Sequence, residues 1–565
     1  MPGDPLAHLG PVLAARAAET LGPGAREQVR ENPWLLAERV EGIGFATADG
    51  VAGRLGLPED SPHRIRAAVL HVLREGAEDG HVYLPFHRLA QDAQALLQVD
   101  RRLIPPAMEA MGRDGALVLD EGGGERDRCV YLPGLYAAEV GVAHGLSALL
   151  VREGGQGSRA IALPAPMAPP EPALTSQQAE AVRIGLSRRI AVITGGPGTG
   201  KTTVLRALLA AAQSAGVRAV LAAPTGRAAR RMSEATGREA LTLHRLLEYA
   251  PREGFRRNPS APLDCDLVVV DEASMVDIAL MHHLLAALPA AAALLLVGDA
   301  HQLPSVGPGR VLADIIESGR VATVELTEIF RQAQGSDLIA AAHRIQLGLM
   351  PEAASGLAEG SFVFVERDDP ATAARAVVEL VAERIPRRLG LDAVESTQVL
   401  APMNRGEAGV ERLNVLLQAA LNPEGASTRA GRDLRVGDRV MQTRNDYEKG
   451  VFNGDIGRVV RADGAALIVS FEGEEVSYRR DEAGRLALAY AVSVHKAQGS
   501  EYPAVVIPLL EEHAAMLQRT LLYTAVSRAK QLAVIVGSRR ALRRAVAGTG
   551  GLRRYTRLAE RLRAR

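Results

Sequence analysis

Two cysteines in 565 residues, Cys129 and Cys265, are too few and too far apart for a disulfide framework or a cysteine-rich zinc site. A reducing cytoplasm fits that usage. No run of about 18 strictly apolar residues marks a membrane span. The opening MPGDPLAHLGPVLAARAAET has no basic stretch leading into a long apolar core, so no secretory signal is expected. Neither sign of charge is in excess: 66 basic residues meet 66 acidic ones. That excludes a uniformly basic coat and leaves room for a local basic groove on nucleic acid. Aromatic residues make up 3% of the chain, which argues against an extended base-stacking platform. Scarcest among the charges is lysine. Lys201, Lys449, Lys496 and Lys530 are the four, and the other 62 basic residues are arginine. In such a chain a lysine points to a place that needs a compact point charge.

What is present is apolar residue in quantity, 47% of the chain, enough for three or four domains. The first 165 residues read as a mostly helical domain followed by a linker. Around Gly42-Ile43-Gly44 a turn joins two helices in a helix-hairpin-helix pattern; it is either a phosphate contact or a tight packing turn. RIRAAVLHVLREGAEDGHVYLPFHRLAQDAQALL reads as helix, strand, helix, like a small winged module. GGQGSRAIALPAPMAPPEP is a Gly/Pro-rich linker. Then apolar strands alternate with helices, the mark of parallel sheets covered on both faces. Two such α/β units follow, over 166–325 and over 326–430 with 489–565. Residues 431–488, all short strands and Gly turns, read as a small β-barrel inserted in the second unit. In the last 27 residues, ten arginines face one acid; the pattern predicts a solvated basic helix with Leu552, Tyr555, Leu558 and Leu562 turned inward.

The chemistry begins at ITGGPGTGKTTVL. Gly195-x4-Gly200-Lys201-Thr202 is a full P-loop between a strand and a helix. Backbone amides of Gly196, Pro197's successor Gly198, Thr199, Gly200 and Thr203 can turn toward phosphate oxygens, aided by the positive helix end. Lys201 can reach the β- and γ-phosphates of ATP, and the Thr202 hydroxyl can hold Mg²⁺. In LVVVDEAS, Asp271 is the second Mg²⁺ candidate, and Glu272 can orient or deprotonate a water. The pair predicts hydrolysis rather than mere binding. Gln302, at the next strand tip, can sense the γ-phosphate.

With these in order, residues 170–540 resemble the superfamily 1 helicases, in particular the RecD-like, stand-alone branch that works without RecB and RecC. LTSQQAEAV, AAPTGRAA, TLHRLL, VELTEIFRQ, APMNRGEAG, VFNGDIG, AYAVSVHKAQGSE and LLYTAVSRAK carry the likeness. It implies two RecA-like motor domains, a helical N-terminal domain and an SH3-like insertion. It implies an ATP- and Mg²⁺-dependent DNA helicase moving 5′→3′ on single strands, monomeric, cytoplasmic and free of membranes. Gln178 would read adenine, and Arg331 and Arg528 would meet the γ-phosphate. Stand-alone relatives often carry a longer N-terminal extension than this chain shows.

Two facing motors leave a groove opposite the nucleotide. Pro224, Thr225, His244, Arg245, Asn404, Arg405, His495 and Thr524 lie in motifs expected to line it, with groups suited to phosphate and sugar. The hairpin near 248–263 is a candidate strand-separating pin, at Phe255, Arg256, Arg257 and Asn258. Single-stranded DNA and its junctions with duplex are the expected partners, and the N-terminal domain is a candidate for contact with DNA or a protein. Two other readings stay open: an RNA helicase or protein-stripping translocase, and a nucleotide-gated DNA-binding subunit of a larger complex.

Overall fold

Small residues and Gly turns break the N-terminal stretch into short helices, and these wrap the chain's one tryptophan. The computed structural model describes residues 4–122, 128–153, 174–251, 253–328, 336–428, 434–446, 448–463, 466–549 and 554–564. Helices Gly10–Leu21, Ala25–Glu31, Leu35–Arg39 and Phe45–Arg54 bury Trp34, whose indole N–H donates to Asp49 at 2.9 Å. At the Gly42–Gly44 turn, Gly42 is left-handed (φ 89°) and abuts Arg16, whereas Gly44 faces open space. Helices Pro62–Glu78, Phe86–Leu97 and Ile104–Arg113 follow, with a three-stranded antiparallel sheet of β1 (Tyr83–Pro85), β3 (Cys129–Tyr131) and β2 (Val118–Asp120) in that order.

Helix Pro133–Glu153 is long and apolar enough to cross a membrane by length and composition alone. Here it lies on the first motor, with Val142, Ala143, Leu146 and Leu149 in a shared core. Gly141 and Gly145 make the close approach possible. A Cβ at the first would collide with His282, and one at the second would sit 3.1 Å from Leu285. The linker that follows lies outside the described residues.

Motor 1 is a six-stranded parallel sheet. Its strands are β4 (Ile190–Gly195), β5 (Ala219–Ala223), β6 (Ala240–Thr242), β9 (Leu267–Val270), β10 (Ala293–Gly298) and β11 (Ala322–Leu326), ordered β11-β4-β10-β9-β5-β6. Every residue of β4, β9 and β10 is buried, as continuous apolar strands require. Between β6 and β9 stands a short hairpin, β7 (Tyr249–Ala250) with β8 (Gly254–Phe255). Motor 2 is a five-stranded parallel sheet of β12 (Phe362–Glu366), β13 (Thr397–Ala401), β19 (Ala491–Ser493), β20 (Tyr502–Leu509) and β21 (Ala529–Gly537), ordered β12-β21-β20-β13-β19.

Between β13 and β19 the chain makes an antiparallel sheet: β14 (Arg439–Gln442), β15 (Ile456–Asp463), β16 (Ala466–Phe471), β17 (Glu474–Arg479) and β18 (Leu486–Leu488), ordered β17-β16-β15-β14-β18. Its two connections to motor 2 are fastened by one buried carboxylate. Asp438 accepts from Gln418 (2.6 Å), Asn422 (2.7 Å), the Arg435 amide (2.7 Å) and the Tyr490 hydroxyl (3.0 Å).

The C-terminus keeps the expected solvated basic face along helix Arg539–Ala547, where Arg539, Arg540, Arg543 and Arg544 are exposed, and departs from it beyond. After helix Arg539–Ala547 the chain returns to motor 1 and the N-terminal domain, where Leu558 and Leu562 are buried. Tyr555 packs on His81 and Tyr83. Arg557 and Arg561 pair with Asp120, and Arg561 also with the fully buried Glu139 at 3.0 Å. Those arginines are spent on buried acids because the strap must be tied down over two domains. Leu552 lies outside the described residues.

Candidate nucleotide cleft and nucleic-acid groove

The P-loop forms where strand β4 gives way to helix Lys201–Ser214, and its glycines are demanded by geometry. Gly198 (φ 76°) and Gly200 (φ 84°) are left-handed, and a Cβ at Gly195 would meet the Leu326 carbonyl at 2.8 Å. Lys201 Nζ donates to the carbonyls of Gly195 (2.6 Å) and Gly196 (2.9 Å), folded over the place a phosphate would take. Gly196, Pro197, Gly198, Gly200, Lys201, Thr202 and Thr203 share one cleft with Asp271, Glu272 and Gln302 of motor 1 and Arg528 of motor 2. Thr199 is buried, and its hydroxyl donates to the Gly196 carbonyl at 2.9 Å. Burial, then the charge of Glu272, pushes the Asp271 carboxyl up to about 6. Glu272 itself sits in the left-handed region (φ 50°), uncommon for a side chain with a Cβ. Its carboxylate lies 3.8 Å from the Arg528 guanidinium across the cleft. Arg528 is 3% exposed and donates to the Ser500 carbonyl and the Ser527 hydroxyl.

Gln178, the expected adenine reader, sits directly behind the P-loop. It is buried in a capping box with Thr175, and its Nε2 donates to the Thr199 carbonyl at 3.2 Å. Its Oε1 accepts from the Thr175 amide at 3.1 Å, so the cap and the P-loop take one acceptor site and one N–H of this side chain and leave a second N–H. The pocket beside Pro197 is lined by Glu325, Thr327, His343, Gln346 and Tyr523, and the glutamine bonded to Thr327 is Gln177. Arg331 lies outside the described residues.

Behind Gln302 the two motors interlock. Asp299, fully buried, accepts from Gln302 Nε2 (3.1 Å), the His301 amide (3.0 Å) and the Tyr523 hydroxyl of motor 2 (2.7 Å). One residue further, the Leu303 amide donates to Thr524 Oγ1 (2.8 Å), and its carbonyl accepts from Gln498 Nε2 (2.8 Å). Thr524 is therefore not a groove residue: it is fully buried, its hydroxyl committed to Leu303 and Thr520. Helix Gly226–Thr236 adds a second seam through Arg227 to Ser500 and Tyr502, Arg231 to Glu501, and Arg230 to Asp455 and Glu472 of the insertion.

On the other side of the seam runs a groove. Thr225, Asn404 and His495 line it with Arg227, Met275, Val306, Met403, Asn453, Lys496 and Met516. Pro224 precedes Thr225, whose hydroxyl caps helix Gly226–Thr236, and Arg405 is exposed beside Asn404. Burial holds the His495 imidazole below the ordinary histidine range, with Arg554 adding to the effect. His244 is elsewhere: its ring packs on Tyr249 and Phe255 at the hairpin base, and Arg245, next to it, is exposed.

This arrangement has known counterparts. Residues 7–83 match the family described as the ATP-dependent RecD2 DNA helicase HHH domain. Residues 413–471 match the ATP-dependent RecD-like DNA helicase SH3 domain, 173–367 an AAA domain and 488–536 a UvrD-like helicase C-terminal domain. The chain is 39% identical over 562 residues to the ATP-dependent RecD2 DNA helicase of Deinococcus radiodurans, covering 98% of this chain and 76% of that protein. It belongs to the RecD2 helicase family. The RecBCD enzyme subunit RecD of Mycobacterium tuberculosis is 36% identical over 412 residues, 66% of this chain and 70% of that one. Among solved structures, Pif1 helicase at forked duplex DNA aligns over 64% of this chain and 92% of that one, at 22% identity and a TM-score of 0.41.

As a RecD2 family member the chain is an ATP-dependent DNA helicase with RecA-like motors, a helical N-terminal domain and an SH3-like insertion. Of the four residues expected at the hairpin's pin, Phe255, Arg257 and Asn258 are partly buried and Arg256 is exposed. Phe255 is half-buried against His283, with ring centroids 4.4 Å apart. Arg256 pairs with Glu253, Arg257 with Glu248, and Asn258 caps the next turn. The exposed end is the β7–β8 turn, Pro251 and Glu253. An aromatic next to a short strand finds a partner before it finds solvent, and sequence pattern does not show which. Reading motifs also missed Asp299, Tyr523, Arg230, Arg231 and Glu501. The motifs holding them were visible, but among 62 arginines and 66 acids no single position stands out.

Proposed function

We propose that this helicase moves 5′→3′ along single-stranded DNA and opens duplexes that carry a 5′ tail, with the nucleotide clamped between two motors. The direction follows the likeness to RecD-like helicases, and the observation that supports the clamp is Leu303. It lies one residue past Gln302 in the ATP cleft and three before Val306 in the groove, and motor 2 holds it by both its amide and its carbonyl. A change at the γ-phosphate that moves Gln302 must therefore move the groove wall or break two bonds to motor 2.

The chain's own residues account for the ATP chemistry. On binding, Lys201 leaves the Gly195 and Gly196 carbonyls for the phosphates, trading neutral acceptors for charged ones. Glu272 orients the attacking water, and Arg528 leaves it for the γ-phosphate, where a guanidinium of this kind is worth about 10³ or more in rate. The site also fits Mg²⁺. Asp271 and Glu272 are adjacent carboxylates whose mutual repulsion a cation would relieve, and Thr202 opens the helix beside them. Thr202 and Asp271 would hold the ion, which neutralises phosphate charge when bound.

Partial duplexes with a 5′ or a 3′ tail test the reading directly. Unwinding of the 5′-tailed substrate alone is expected, and equal or reversed use of the 3′ tail would sink the polarity. Lys201→Gln should lose nearly all ATPase while still binding oligo-dT; a normal ATPase rate would remove Lys201 from the site.

A further inference from the structure

The groove has one wall of an unusual kind. The chain has 11 methionines, and three of them meet here from separate segments: Met275 after the Asp271–Glu272 pair, Met403 after strand β13, and Met516 ahead of helix Arg519–Val526. They share no helix face, and each remains partly exposed, although Met516 also rests on the motor 2 core. Val306, 69% exposed, lines the same groove. An exposed valine on a loose loop would mean little, but this loop is braced. Arg554 of the C-terminal strap donates to the carbonyls of Ser305 (2.6 Å), Gly307 (3.0 Å) and Gly309 (2.6 Å) and to the Ser305 hydroxyl (3.2 Å). None of the described residues lining the groove is Phe, Tyr or Trp, and His495 is its one ring.

We propose that Met275, Met403, Met516 and Val306 form a sulfur- and methyl-lined track for the bases of single-stranded DNA, while Thr225, Asn404, His495 and Lys496 face its phosphates. The inference rests on the reading of this groove as the DNA path. The occupant follows from the pairing of chemistries in one channel. Hydroxyl, amide, imidazole and an exposed ammonium suit a phosphate chain, and a thioether wall suits flat π-faces. Every base offers such a face, so the contact is indifferent to sequence. Methionine's unbranched side chain reshapes itself around purine or pyrimidine, as a strand that must slide requires.

Binding to oligo-dT and to an abasic oligomer of equal length, over a range of salt, separates the two walls. The wild type should prefer oligo-dT, with the same salt slope for both. Met403→Gln with Met516→Gln should cut that preference about tenfold, at about 0.7 kcal/mol per sulfur contact, and leave the slope unchanged. Lys496→Ala should instead flatten the slope by about 0.7. No preference in the wild type, or a full preference in the double variant, overturns the track while leaving the groove as a phosphate path. An unchanged slope and affinity in Lys496→Ala overturns the groove reading itself. Should the double variant not fold, wild-type protein answers through mild methionine oxidation followed by peptide mass spectrometry. Oligo-dT should slow sulfoxide formation at Met275, Met403 and Met516 more than the abasic oligomer does; equal rates with both refute the track.

Discussion

A carboxylate with no water around it must be surrounded by donors, and Asp299 has found three, one of them from the opposite motor. Burial and the Asp299 charge hold the Tyr523 hydroxyl far above its usual range, so it stays a donor at any working pH. This pair ties Gln302, the proposed γ-phosphate sensor, to helix Arg519–Val526, which ends two residues before Arg528. Tyr523→Phe removes a bond to a charged group worth about 1.5–3 kcal/mol. ATPase stimulated by single-stranded DNA should fall about tenfold or more, with oligo-dT binding kept. Stimulated turnover at the wild-type rate would show that Asp299 holds Gln302 without help from motor 2. The P-loop and Asp271–Glu272 were legible because backbone spacing defines them. Asp299 was not, since its partner lies 224 residues away.

Elements differ in how much of their role their own sequence carries. Helix Gly226–Thr236 has arginines at 227, 230 and 231, which pattern alone reads as a polar face. Only the packing shows that each reaches across to motor 2 or to the insertion. The β7–β8 hairpin is the converse. It was visible from its turn residues, and Arg256 does face outward, but His283 and His244 hold Phe255 inward. In the proposed role of strand separator it would work through the turn. Replacing 251–254 by a tight two-residue turn should leave DNA-stimulated ATPase intact and abolish unwinding of a tailed duplex. Since opening one base-pair step costs only about 1.4 kcal/mol, a pin need do no more than block reannealing. Unwinding at the wild-type rate would assign that task to another element.

Taken together, the domains are held by the last residues of the chain. Residues 554–563 lie across motor 1 and the N-terminal domain, bonding Ser305, Gly309, Asp120 and Glu139 and burying Leu558 and Leu562. Leu558→Ala should cost about 2–5 kcal/mol in that shared core. Trp34, the single tryptophan, reports the N-terminal domain in a denaturation experiment that follows circular dichroism in parallel. The variant's Trp34 transition should separate from the global one, as the domain comes loose before the motors unfold. Coincident transitions at the wild-type midpoint would show that the strap contributes little to docking.

Spacing along the chain determined what depends on neighbours in sequence: the phosphate loop, the acid pair, strand and helix alternation, and the inserted antiparallel sheet. Those follow from backbone geometry and local apolar period, which a single strand of text records. Tertiary structure alone decided which polar groups stay available. Gln178 and Thr524 sit in recognisable motifs, yet burial forces their side chains onto the Thr199 carbonyl and the Leu303 amide. Arg557 and Arg561 look like part of the solvated face until Glu139 and Asp120, more than 400 residues away, claim them. A buried polar group takes the partner that packing brings to it, and packing is settled by the whole fold.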